Sequence, residues 1–120
     1  MNRSKVKLFD KDAIEKSYSN MDSANMKIAR IIDEPESSPL GGGFIELKNE
    51  GFEWKVYYDE IICVLEGELT IRYENHDHKA KSGEVLFLQK GVDIEYKAEE
   101  YAKFFYAIYP VNWREIEGIK

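Results

Sequence analysis

At 120 residues the chain has the length of one domain, enough to bury a core of its own, and its 43% hydrophobic and 13% aromatic content excludes a disordered tail. A formal net charge of −6 argues against nucleic acid or an anionic membrane as partner. No stretch approaches the apolar length of a membrane helix, and the basic run Met1 to Phe9 lacks the apolar centre of a signal peptide.

The first elements are short. Asp10 is placed to cap a helix through Asp12 to Tyr18, with Ile14 and Tyr18 on one face. Lys27 to Ile32 reads as an edge-like strand with mixed faces. Asp33 to Pro39, with its prolines, serines and acids, reads as a loop, and Glu34 and Glu36 as its solvated surface. After Gly41, Gly42 and Gly43 comes a short strand, Phe44 to Leu47, and Gly51-Phe52 is expected to turn the chain.

The central stretch, Trp54 to Gly67, begins aromatic and becomes a β-branched and aliphatic run too short for a helix, the pattern of a buried strand ending at Glu66-Gly67-Glu68. Cys63 is the single cysteine, so no internal disulfide can form and a reducing cytoplasm is expected; between Ile62 and Val64 it reads as a buried, inert thiol. Leu69 to Tyr73 alternates like a strand with one wet face, and Glu74 to His78 reads as a hairpin tip. Ser82-Gly83 and Lys90-Gly91 are turn signals bracketing Val85 to Leu88, expected to be fully buried. Asp93 to Lys97 alternates, Phe104 to Tyr109 forms a last strand, and Asn112 to Ile116 suggests a short terminal helix. Strands at this spacing, with turns between them, predict an all-β sandwich or barrel.

Glu60, six residues, then Gly67 matches the second half of the first cupin motif, and fifteen residues separate Gly67 from Gly83, which opens the second motif. The chain thus resembles a cupin, a double-stranded β-helix or jelly-roll barrel, and the resemblance implies a divalent metal held by three histidines and one carboxylate. Those histidine positions fall on Trp54, Val56 and Ile94, which have no lone pair to offer, so no metal ligand set is expected. Trp54-x-Val56-x-Tyr58-Asp59-Glu60 and Val64-Leu65-Glu66-Gly67-Glu68-Leu69 are similar to the EutQ-type cupins of ethanolamine utilisation. Gly43-Phe44, Gly83 to Phe87, Lys90-Gly91 and Tyr109-Pro110-x-Asn112-Trp113 extend the likeness over about residues 41–113. The resemblance implies a stand-alone short form matching the C-terminal cupin domain, with residues 1–25 as an arm and 26–120 as the barrel. It also implies an association with bacterial microcompartments and an acetate kinase-like activity.

Residues of equal parity share one strand face, so Trp54, Val56, Tyr58 and Glu60 are expected to line the barrel interior with Ile94 and Tyr96, and Tyr106 completes the candidate ligand pocket. Glu60 is the candidate catalytic residue: apolar surroundings should raise its pKa and make it a proton donor or acceptor. A structural acid paired with a tyrosine or lysine is the alternative, as core filling is for Trp54 and Tyr58. His76-Asp77-His78 stands on the wrong strand for a cupin metal pair and reads as a solvated turn. The triple glycine lacks the Lys-Ser/Thr and helix of a phosphate loop.

Two functions remain open: an enzyme acting on a small carboxylate or acyl phosphate, or a metal-free binding or assembly module. ATP and magnesium enter only with the kinase reading, and phosphoryl transfer needs cations. The expected pocket offers none, since Lys55 has the wrong parity and Lys90 sits on a turn. A small-molecule ligand, a homodimer and microcompartment proteins are the expected partners, because Ile61, Cys63 and Leu65 leave the outer sheet face apolar.

Overall fold

The structure is a computed structural model that describes residues 5–33 and 39–119, so the loop residues Glu34 and Glu36 lie outside the described residues. Asp10 caps helix α1 (Lys11–Ser17) as expected, its Oδ1 accepting from the Ala13 amide at 2.8 Å. Then follow β1 (Ser19–Asn20), β2 (Met26–Ile32), β3 (Gly41–Lys55), β4 (Asp59–Tyr73), β5 (His76–Lys81), β6 (Val85–Leu88), β7 (Asp93–Tyr109) and the short helix α2 (Trp113–Ile116).

All pairings are antiparallel, in the order β1-β2-β3-β7-β4-β5, with β6 alongside β4. The long strands β3, β4 and β7 carry the architecture. Each pairs along most of its length, and register shifts at Lys48/Glu50 and between Val64 and Thr70 let the sheet bend over on itself. Alternate residues of the bent strands then point into one core, where Leu47, Val56, Ile62, Val64, Leu69, Ile71 and Phe104 lose essentially all contact with solvent. Burying each such side chain contributes about 1.5–3 kcal/mol relative to leaving it exposed. The molecule is an all-β barrel, one of the two architectures, sandwich or barrel, that the strand spacing predicts and the one that the cupin resemblance implies.

Several local expectations give way to this bending. Trp54 to Gly67 is not one strand: β3 ends at Lys55, a corner spans residues 56–58, and β4 starts at Asp59. The Gly51-Phe52 and Glu66-Gly67-Glu68 turns are strand interior instead. Gly67 holds a φ of +74°, and a β-carbon there would collide with the Tyr101 carbonyl oxygen, so the glycine permits a bulge rather than a reversal. The β4–β5 turn is Glu74-Asn75, both at positive φ, and His76 and His78 already belong to β5. The alternating Asp93 to Lys97 run and the apolar Phe104 to Tyr109 run are parts of one strand.

β6 is not fully buried. It pairs only with β4, so Leu88 faces the core while Val85 and Phe87 are each 62% exposed. Their partners across the rungs are Cys63 and Ile61. Cys63 is therefore only half-buried on the outer face, and Ile61 and Leu65 beside it are exposed, as parity predicts.

Candidate functional site

At one end the barrel is not filled. A cavity of about 340 Å³ is walled by Glu60 from the start of β4, Tyr58 from the corner before it, Trp54 from the end of β3, and Tyr96 and Tyr106 from β7. Five of the seven residues singled out from the sequence therefore meet on one wall. Val56 and Ile94 do not. The Val56 amide donates to Val92 O at 2.9 Å and its carbonyl accepts from Gly91 at 2.7 Å, which fixes the corner and turns the side chain into the packed core. Ile94 pairs with Trp54 across the sheet and joins the same core.

Glu60 is 2% exposed, and its Oε1 accepts from the Tyr96 hydroxyl at 2.7 Å. Burial pushes its carboxyl up to about 7, and the Tyr96 hydrogen bond only partly offsets this by favouring the charged form. Tyr96 and Tyr58 are pushed upward by burial and then by the Glu60 charge, and Tyr106, mainly by burial, to about 12. At neutral pH the wall therefore presents three neutral phenols around a carboxyl group poised between its two forms.

The aromatic side of the cavity is locked. Trp54 Nε1 donates to Tyr58 Oη at 2.9 Å. Trp113, carried in by α2, stands edge-on to Trp54 at 5.7 Å and stacks on Tyr57 at 5.2 Å. Trp113 is an addition to the pocket as read from the sequence, where it marks the terminal helix and the end of the family likeness. Phe52 stacks on Tyr96 at 4.7 Å and holds that ring from behind.

The cavity is also not without cations. Arg30 on β2 and Arg114 on α2 both line it, together with Asp22 and Asp33. Arg30 escaped the sequence reading because β2 was taken for an edge strand with mixed faces. Its parity with Met26, Ile28 and Ile32 was the available signal, since Ile28 and Ile32 line the same cavity. Lys55 and Lys90 are absent from the lining, and Lys90 instead pairs with Glu117 at 3.3 Å.

The residues do not fit the metal of a histidine cupin. Of the four positions at issue, Trp54, Val56 and Ile94 carry no donor and only Glu60 does, and one carboxylate is too few for a transition metal. Among the described residues no group of three His, Cys, Asp or Glu side chains is placed to share an ion. No described helix is long and apolar enough to cross a membrane.

Comparison with known proteins sets the chain in a family. Residues 2–115 match the family described as ethanolamine utilisation protein EutQ. A Salmonella typhimurium protein named acetate kinase EutQ is 33% identical over 114 residues, covering 92% of this chain and 49% of that protein. The chain spans about half the length of the curated relatives it matches. A crystal structure of a putative ethanolamine utilisation protein Q from Salmonella typhimurium superposes with a TM-score of 0.84 at 32% identity, covering 92% of this chain and 91% of that one. An RmlC-like cupin from Shewanella frigidimarina, 14% identical, superposes with a TM-score of 0.66 over 80% of this chain and 86% of that one, a likeness of fold alone.

Proposed function

The chain belongs to the EutQ family of cupins, and on that premise we propose that its barrel pocket takes a small carboxylate or acyl phosphate, with Glu60 as the proton-holding group of an acetate kinase-like reaction. The observation that carries the reading is the Tyr96–Glu60 pair at 2.7 Å on the wall of a cavity at the small end of the range for ligand sites. A carboxylate nucleophile brings no proton to remove. Neutral Glu60 would donate a hydrogen bond to one ligand oxygen and leave the other free to attack the terminal phosphorus of ATP, as the bond to the ADP oxygen breaks and ADP departs with the electron pair. Magnesium would arrive on the nucleotide, because no described cluster of carboxylates would hold it.

The test is turnover of acetate with ATP and magnesium. Glu60→Leu removes the donor and should lower the rate roughly a hundredfold. Wild type is expected to lose rate above pH 7, and Glu60→Gln, which keeps a donor that cannot ionise, should abolish that fall. Equal rates for wild type and Glu60→Leu would exclude Glu60 from the reaction.

A second reading, a metal-free module for ligand binding or microcompartment assembly in the cytoplasm, is favoured by the three positions where a histidine cupin has donors and this chain has none. Binding of acetate or acetyl phosphate without turnover would select it. Both readings include a homodimer closed through the apolar outer face, where Ile61 sits opposite Phe87. Sedimentation of the Ile61→Lys and Phe87→Lys variants as monomers, against a wild-type dimer, is the expected result.

A further inference from the structure

We propose that Arg30 and Arg114 form a two-armed clamp at the cavity mouth that grips the anionic group of the ligand, a phosphoryl or carboxylate group, while its small apolar remainder lies among Trp54, Tyr106 and Trp113 toward Glu60. The proposal rests on the reading that this cavity is a small-molecule site, and it names the two side chains that select the ligand's charge.

Arg30 stands where a strand facing a core ordinarily carries an apolar side chain. Its neighbours of equal parity, Ile28 and Ile32, are apolar and line the same cavity. A structural reason for such an arginine would be an ion pair, yet among the described residues neither Arg30 nor Arg114 makes one. This is notable in a chain with 23 acids against 17 basic residues.

The space around Arg30 is open by sequence. Its partner across the sheet is Gly43, whose own partner on the next strand is Tyr106. A β-carbon on Gly43 would collide with the Ala29 carbonyl oxygen and stand 2.9 Å from the Tyr106 hydroxyl, so glycine keeps β2 close to β3 and that phenol uncovered. The Arg30 charge is felt at Tyr106, lowering that phenol's pKa against the effect of burial, and the Arg114 charge acts on Tyr58 in the same sense.

Arg114 approaches from the tail. Its guanidinium lies over the Trp113 ring at 4.4 Å from the centroid, a cation–π contact that holds the arm while leaving its N–H groups free to bind. Both arginines are exposed, so neither loses hydration until a ligand arrives, and planar guanidinium forks match the oxygens of carboxylate and phosphate. Asp22 and Asp33 also line the cavity. Glu60 does not oppose the ligand at neutral pH, because half or more of its carboxyl is protonated at or below about 7.

Tryptophan emission reads occupancy directly, because both tryptophans of the chain line the cavity. Acetyl phosphate, inorganic phosphate and acetate are titrated into wild type, Arg30→Gln, Arg114→Gln, the double variant and Arg30→Lys, with broadening of the ligand's NMR signals as a second readout. The expected result is a loss of affinity for acetyl phosphate of roughly tenfold or more in each single Gln variant, since a charge-assisted hydrogen bond is removed. The double variant should show no binding, Arg30→Lys only partial recovery, and all variants an unchanged thermal midpoint. Unchanged affinity in both single Gln variants overturns the clamp and leaves the kinase reading standing. Arginine-dependent binding without turnover of acetate and ATP supports the clamp and removes the kinase reading. Failure of all three anions to bind wild type by either readout overturns the clamp.

Discussion

The barrel has a filled half and a hollow half, built from the same three strands. In the filled half apolar side chains pack the interior: Leu47 on β3, Val64, Leu69 and Ile71 on β4, and Phe104 on β7 are essentially inaccessible to solvent. In the hollow half the inward positions of the same strands carry Trp54, Glu60, Tyr96 and Tyr106, and β2 adds Arg30. The strands run through both halves with register shifts at Lys48/Glu50 and between Val64 and Thr70, and the two halves differ in the side chains at their inward positions. One half spends its inward positions on packing, and the other leaves polar and aromatic side chains around an unfilled cavity.

The largest effect expected from testing this contrast is in the filled half. Phe104→Ala should lower unfolding free energy by about 3–5 kcal/mol in urea titrations, through lost burial and the cavity left behind. A change below about 1 kcal/mol would mean that this half is not the stabilising one.

The next effect is in the hollow half and depends on pH. Glu60 binds its proton more tightly folded, at about 7, than an ordinary glutamate carboxyl does at 4.5. Stability from this group is fully present below pH 4.5 and is lost as pH rises to 7, a decline of about 3 kcal/mol over that window. Glu60→Gln should flatten the decline and leave the variant more stable than wild type above pH 7. A wild-type profile with no such slope would place the carboxyl in a wetter setting.

Smaller still is the Tyr96→Phe change. It removes the one hydrogen bond that favours the charged form, so an NMR titration should find Glu60 protonated to higher pH than in wild type. Smallest of all, Arg30→Gln and Arg114→Gln should change stability by no more than about 0.5 kcal/mol, since both side chains are exposed and unpaired among the described residues. A large loss at either would assign that arginine to the scaffold.

Much of this was legible in the sequence, for reasons that differ by residue. The strands between Met26 and Tyr109 announced themselves by period and by turn residues, and Glu60 stood out as a charge entering an apolar run. The bends did not. Gly51 and Gly67 look like turns because glycine permits reversals, but here long-range pairing to β7 keeps the chain extended through both. Placing Trp54, Tyr58 and Glu60 on one wall by parity succeeded even though the strand breaks between them. Val56 shares the inward face as parity requires but packs into the core instead of lining the cavity, held by backbone ties to Val92 and Gly91 that no local pattern encodes. Arg30 and Trp113 reach the cavity from elements distant in sequence, and such convergence is a tertiary fact.

Because β3, β4 and β7 each run through both halves, the molecule has no seam along which one half could swing from the other. Loss of the barrel should then be a single cooperative event in which the pocket and the packed end vanish together.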